Sequence, residues 1–117
     1  MGITYVDGTV RNPDGREEPD RFLVDSGATY SLLPHSVWTS LGLSPKRQME
    51  FTLADGSTVR RGIGECHLTL PQGDGHTPVI LGEPEDQALL GVVTLEELGL
   101  RFNPFSRTLQ PMLGHLA

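Results

Sequence analysis

Phe22-Leu23-Val24-Asp25-Ser26-Gly27-Ala28 is the stretch whose reading decides the fold. Three apolar residues in a row predict a short buried strand, and a carboxylate stands at its exit. A small hydroxyl residue and a glycine follow at once. Burial beside the strand would raise the cost of ionising Asp25, and Gly27 would let backbone come close to that side chain. Taken alone, such an Asp-Ser-Gly reads either as a helix cap or turn, or as a working acid. The rest of the chain decides between them.

Upstream, residues 3–11 alternate well enough for a strand, with Asp7-Gly8 as a bulge or kink. Asn12-Pro13-Asp14-Gly15 is a turn, proline presetting φ and glycine accepting a positive one. Residues 16–19 are polar and expected to be mobile, and 20–24 return antiparallel to deliver Asp25. Downstream, 30–33 predict another short strand. Pro34 opens a two-turn helix carrying Val37, Trp38 and Leu41 at helical spacing, and Gly42 ends it. Residues 49–53 and 57–70 flank Ala54-Asp55-Gly56, a hairpin signal. Apolar positions change parity across Gly62-Ile63-Gly64, which reads as a bulge that re-aims the strand. The hairpin is either an ordinary sheet element or an arm that projects and moves. A glycine-rich turn at 72–76, a strand at 79–81 and an acidic loop at 82–87 come next. Thr94 with Glu97 reads as a capping box for a short helix over 95–98, stopped by Gly99. Asn103-Pro104 turns the chain into a last strand at 108–110, and residues 112–117 are expected to fray.

The chain of 117 residues suffices for one domain, 1–117, with roughly two-thirds of its unfolded surface buried. Its 14 glycines and 9 prolines between short apolar runs predict a mainly β fold with one or two short helices. The net charge of −6 has no basic stripe against it, since only Lys46-Arg47 and Arg60-Arg61 cluster. Nucleic acid is not expected as a partner on that ground. Cys66 is the single cysteine, so no internal disulfide forms and a reducing compartment is expected. No apolar run approaches the ~20 residues of a bilayer span, and the start resembles no signal peptide. The expectation is a soluble cytoplasmic protein.

Shifting the sequence by 57 residues brings two segments into register. Ser31-Leu32-Leu33 falls on Ala88-Leu89-Leu90, and Leu41-Gly42-Leu43 falls on Leu98-Gly99-Leu100. Phe22-Leu23-Val24 then lies over Val79-Ile80-Leu81, and Asp25 over Gly82. Either leucine-rich segments coincide by chance, or each half is a strand, a loop, an apolar strand and a short helix. Only the first half carries the aspartate.

Asp25-Ser26-Gly27-Ala28 after an apolar run, a hairpin some 30 residues on, and Leu89-Leu90-Gly91 before a short helix resemble a retropepsin. These are the single-domain aspartic proteases of retroviruses and their bacterial relatives. Residues 89–100 resemble the bacterial members in particular, and the likeness runs over residues 3–111. It implies a closed barrel-like acid protease fold that forms half of a two-fold site, and an aspartic endopeptidase without metal or cofactor. Two carboxylates forced together share a proton and can both take one from water and give one to a peptide carbonyl. One acid per chain implies a homodimer acting on a peptide or protein substrate. In that likeness Asp25 supplies half of the dyad, Ser26 hydrogen-bonds across the axis and Gly27 N–H holds the carboxylates coplanar. Ala28, Leu90 and Gly91 would line the cleft, and Ala54, Asp55, Gly56 and Ser57 would form a flap tip over the substrate. The terminal strands would pair near the dimer interface. Three departures stand out: Ser26 replaces a common threonine, Val92 follows Gly91 where retroviral members often carry a polar residue, and the tip is polar. Gly62-Ile63-Gly64 is the second choice for that tip.

Other chemistries fare worse. Ser31 and His35 lie one helical turn apart, but nothing supplies an oxyanion loop or nucleophile elbow. Cys66 and His67 point to opposite faces of a strand, which speaks against a metal site with His76. Asp74, Asp86 and residues 83–85 read as solvated loop charges. The serious alternative is a non-catalytic dimeric binding or assembly module on the same fold, against which the intact Asp-Ser-Gly speaks.

Overall fold

The computed structural model describes residues 3–114 and 116. The chain runs through β1 (Tyr5–Arg11), β2 (Glu17–Val24), β3 (Ser31–Leu33), α1 (His35–Ser40), β4 (Arg47–Thr52) and β5 (Thr58–Leu70). It continues with β6 (Gly73–Leu81), β7 (Leu89–Leu90), α2 (Val92–Glu97), β8 (Leu100–Asn103) and β9 (Thr108–Pro111). Strands pair in the order β1-β2-β7-β3-β6-β5-β4. β1 also pairs back onto β5 through Thr9↔Thr69, Val10↔Leu68 and Arg11↔His67, so this seven-stranded sheet closes into a barrel with its edge strand β4 outside the ring, while β8 and β9 form a sheet of their own. Val10, Phe22, Leu33, Leu41, Leu68, Val79 and Leu90 fill it, and Leu95 of α2 packs on the same core. No helix among the described residues is long and apolar enough to cross a membrane.

The first hairpin turns at Asn12-Pro13-Asp14-Gly15, where Gly15 has φ +94° and donates its N–H to the Asn12 carbonyl at 2.9 Å. The expected bulge at Asp7-Gly8 is absent, since pairing runs without a skip from Tyr5↔Leu23 to Arg11↔Glu17. Gly8 serves packing instead: a Cβ there would come within 2.8 Å of the Leu70 side chain and 3.2 Å of the Thr69 carbonyl. Nor are residues 16–19 a mobile stretch. β2 begins at Glu17, opposite Arg11, and the ladder holds it in place. The exposed Arg11–Glu17 and Arg16–Asp14 ion pairs add little to that.

The parity change in β5 also has a different origin from a bulge. Register is continuous against β4 from Thr52↔Thr58 to Arg47↔Ile63, and continuous against β6 from Ile63↔Ile80 to Leu70↔Gly73. The strand changes partner at Ile63, leaving the β4 ribbon and entering the barrel wall, and the buried face changes with it. The flanking glycines make room. A Cβ on Gly62 would meet the Pro45 side chain at 2.8 Å, and one on Gly64 the Leu81 side chain at 3.0 Å. The turn expected at 72–76 shrinks to Pro71-Gln72, because β6 already begins at Gly73. Asp74, read as a loop charge, therefore sits on a strand and bonds His67 Nε2 at 2.9 Å.

The internal repeat is real. Leu23↔Leu89 and Val24↔Leu90 pair in parallel; moved by 57 residues they become Ile80↔Leu32 and Leu81↔Leu33, which also pair in parallel. The same shift carries α1 onto α2, and Gly42 at φ +71° onto Gly99 at φ +70°. It carries the bond from Asp25 N–H to the Leu90 carbonyl (3.0 Å) onto that from Gly82 N–H to the Leu33 carbonyl (2.8 Å). Each half thus lends its short strand to the longer strand of the other, and the two lock together.

Two expectations at the C-terminal end change. α2 starts at Val92 with Gly91 as its N-cap, and no side chain caps it, so Thr94 is no capping residue. β8 is a further strand beyond those the sequence pattern predicts; it pairs with β9 around the expected turn, where Asn103 Oδ1 accepts the N–H of Phe105 at 2.9 Å. Of the tail expected to fray, His115 and Ala117 lie outside the described residues. Met112 is tied by its N–H to the Gly99 carbonyl at 2.7 Å, while Leu113 and Leu116 are exposed.

Candidate active site

Asp25 leaves β2 where that strand runs beside β7, and residues 25–28 form a tight turn at the end of the barrel. The Asp25 carbonyl accepts the Ala28 N–H at 3.1 Å, and its own N–H goes to Leu90. Its carboxylate Oδ1 accepts the Gly27 N–H at 3.0 Å, which fixes the side-chain rotamer. The turn hangs from the segment that opens α2. Val92 N–H donates to the Ala28 carbonyl and Val93 N–H to the Thr29 carbonyl, both at 2.9 Å. These are helix N-terminal donors that have no partner inside the helix. Gly91 is required for the fit: a Cβ there would lie 2.6 Å from the Tyr30 carbonyl and 3.0 Å from that of Ala28.

The burial expected of Asp25 is only partial in the single chain. The residue is half-buried, and Ser26 and Gly27 are exposed beside it. Leu90, expected to line the cleft, is fully enclosed in the core and contributes its carbonyl instead. Gly91 is likewise buried and acts through backbone contact. Position 82, the repeat counterpart of Asp25, has no room for any side chain. A Cβ there would stand 2.7 Å from the Leu33 carbonyl and from the Leu32 side chain.

The β4–β5 hairpin turns at residues 53–57, with Ala54, Asp55, Gly56 and Ser57 all exposed. Leu53 and Ser57 close it by backbone bonding at 2.8 Å, and Gly56 takes φ +86°. The alternative tip at Gly62-Ile63-Gly64 is excluded, as Ile63 is buried inside the strand. Among the described residues no hydrogen bond or ion pair joins the tip to Asp25. The hairpin does reach the acid turn further back, where Phe51 meets Tyr30 edge-on at 6.4 Å between ring centroids. The Ser57 hydroxyl, and then its N–H, bond Asp55 Oδ1 and hold the Asp55 carboxyl below the usual carboxylate range. A lowered folded value means that the ionised form supports the turn above the ordinary carboxylate pKa, and that this support fades as pH falls through the lowered one. Ser57→Ala is therefore expected to move Asp55 back up toward its ordinary value. Carbon-detected titration of the carboxyl group reads this, and an unchanged curve would remove the hydroxyl as the cause.

Sequence reading missed Tyr30 and Phe51, whose pairing no local pattern signals, and the hydroxyls of Ser31, Thr77 and Thr94, which are fully or almost fully buried. A cleft of about 480 Å³ lies elsewhere, between Asn12-Pro13, Gly42-Leu43 and the strands at His67 and His76. Its floor includes Cys66, whose thiol burial pushes up to about 12, so it stays protonated and unreactive at neutral pH.

Residues 14–97, well over half of the chain, match the model of the family described as "gag-polyprotein putative aspartyl protease". Among solved structures, the solution structure of simian foamy virus (mac) protease superposes with a TM-score of 0.58 at 15% identity, covering 80% of this chain and 92% of that one. A crystal structure of a retropepsin-like aspartic protease from Rickettsia conorii superposes with a TM-score of 0.51 at 18% identity, covering 88% and 89%. No curated protein matches the chain. The matched segment holds the acid turn, the hairpin and α2, and the two superpositions carry the barrel around them: the chain belongs to the retropepsin-like aspartic protease family.

Proposed function

We propose that the protein is an aspartic endopeptidase whose water-activating dyad is assembled from the Asp25 of two copies of the chain. One observation carries this reading. Gly27 N–H holds the Asp25 carboxylate at the barrel end, while the counterpart position within the same chain is Gly82, which cannot bear a side chain. A second acid of equivalent placement must come from another copy, and a two-fold axis is the simplest way to bring it. Facing carboxylates cannot both ionise near neutral pH, so they hold one proton between them. The ionised member takes a proton from water as its oxygen bonds the peptide carbonyl carbon, and the protonated member gives its proton to the carbonyl oxygen. The first acid then passes the proton it took from water to the amide nitrogen while the second takes back a hydroxyl proton, so the C–N bond breaks to a carboxyl and an amine end and the pair again holds one proton.

In this reading Ser26, exposed next to Asp25, bonds across the axis, and Ala28 borders the cleft. The tip at Ala54, Asp55, Gly56 and Ser57 closes over an extended peptide. The single buried thiol suits a reducing, cytoplasmic setting. The test uses mixed dimers. Equal amounts of wild type and Asp25→Asn, equilibrated together, should cleave a peptide library at about one quarter of the rate of the same total of wild type, because only doubly wild-type pairs work. A rate of about one half would mean that each chain acts alone, which overturns the shared dyad.

A further inference from the structure

Behind the acid turn lies a line of buried hydroxyl groups. Gly91 N–H donates to Ser31 Oγ at 2.9 Å, Ser31 Oγ lies 2.5 Å from Thr94 Oγ1, and Thr94 Oγ1 lies 2.8 Å from Thr77 Oγ1. Thr77 donates to the Pro78 carbonyl at 3.1 Å. Ser31 and Thr94 are 0% exposed and Thr77 2%. Each hydroxyl has one proton, so the last bond sets all the others. Thr77 spends its proton on Pro78 and must accept from Thr94; Thr94 must then accept from Ser31; Ser31 is left to accept from Gly91. The chain has one direction from end to end, with no donor in it left over.

Its upper end is the residue from which the acid turn hangs. Gly91 packs on the Tyr30 carbonyl, the preceding Leu90 carbonyl accepts Asp25 N–H, and the following Val92 and Val93 donate to Ala28 and Thr29. We infer that Ser31, Thr94 and Thr77 are positioning residues, which fix Gly91 and through it the placement of the Asp25 carboxylate. β3, β6 and α2, which pack on one another, supply one hydroxyl each, so the three elements are held at one point beside Gly91. The kinetic part of this inference rests on Asp25 being the working acid; the structural part does not.

The experiment compares Ser31→Ala, Thr94→Val and the hydroxyl-keeping Thr94→Ser with Val10→Ala, a cavity elsewhere in the barrel. In the first two, amide hydrogen exchange at Asp25, Gly91 and Val92 should rise about tenfold beyond the rise at Leu68, the loss expected for one buried hydrogen bond. Thr94→Ser should stay within about twofold of wild type, and Val10→Ala should raise all four sites together. On a cleaved peptide, kcat should fall about tenfold in Thr94→Val with KM within about twofold, and Thr94→Ser should restore it. Uniform exchange across the barrel in Thr94→Val, or an unchanged kcat beside localised exchange, would overturn the inference. If wild type cleaves nothing, the proposed function falls, while the exchange pattern still decides whether the hydroxyls hold the turn.

Discussion

Asparagine at position 25 is expected to lower peptide cleavage by about 10³-fold or more while the barrel and the association of two copies persist. The side chain is the same size, and its carbonyl oxygen can still accept the Gly27 N–H that now bonds Oδ1. What it lacks is a proton to give or a lone pair basic enough to take one. With one such residue on each side of the axis, neither half of the proton traffic remains. Replacing two acids that repel each other by two neutral amides also removes a cost of bringing the copies together, so the variant should associate at least as tightly as wild type. Product counts from a peptide library across a pH series, with sedimentation of both proteins, read the two halves of this expectation. Cleavage by the asparagine variant at the wild-type rate would place the chemistry somewhere other than residue 25.

Alanine at position 91 should be the most damaging single methyl group in the molecule. The atoms in its way are the carbonyl carbon and oxygen of Tyr30, both 2.6 Å from the would-be Cβ, with the Ala28 oxygen at 3.0 Å. Backbone cannot swing aside as a side-chain tip does, so either β3 or α2 must move. Either movement breaks the Gly91–Ser31 bond and the bonds from Val92 and Val93 to the acid turn. A cost of about 3 kcal/mol, the upper end for overpacking, lowers the melting temperature of a domain this size by about 10–20 °C. Thermal unfolding followed by circular dichroism measures it. Gly56→Ala is the control, since nothing lies within 4 Å of its position and only the strain of φ +86°, about 1 kcal/mol, opposes the methyl. Equal melting temperatures for the two variants would mean that the close approach at Gly91 relaxes freely.

Much of this architecture could be read from residue order. The apolar triplets before Asp25 and Gly82, the turn at Asn12-Pro13, and the glycines after both helices are local signals, and each stands where its pattern put it. The repeat was legible as well, because shared leucines and glycines report a shared shape. The errors have a common physical source. Glycine in a strand pattern signals a bend, but Gly8, Gly62 and Gly64 instead make room for Leu70, Pro45 and Leu81 from distant parts of the chain. Thr94 with Glu97 has the spacing of a cap, but its hydroxyl is drawn inward by Ser31 and Thr77, neither of them near it in sequence. Leu90 looked like a lining residue because the motif was visible and its direction was not. Local chemistry announces turns and strand lengths; what a small residue is small for depends on the neighbour that the fold brings.

The division of labour along β5 has a bearing on how such a protein can change over time. From Ile63 onward the strand is held by β6, and at His67, Leu68 and Thr69 by β1 as well, whereas the residues before it have β4 alone. Drift at the tip of the outer ribbon, beyond the Phe51–Tyr30 contact, where Asp55 bonds Ser57 alone, leaves the inner half and the acid turn undisturbed. New recognition can be tried at one end of a strand while heritable robustness is kept at the other.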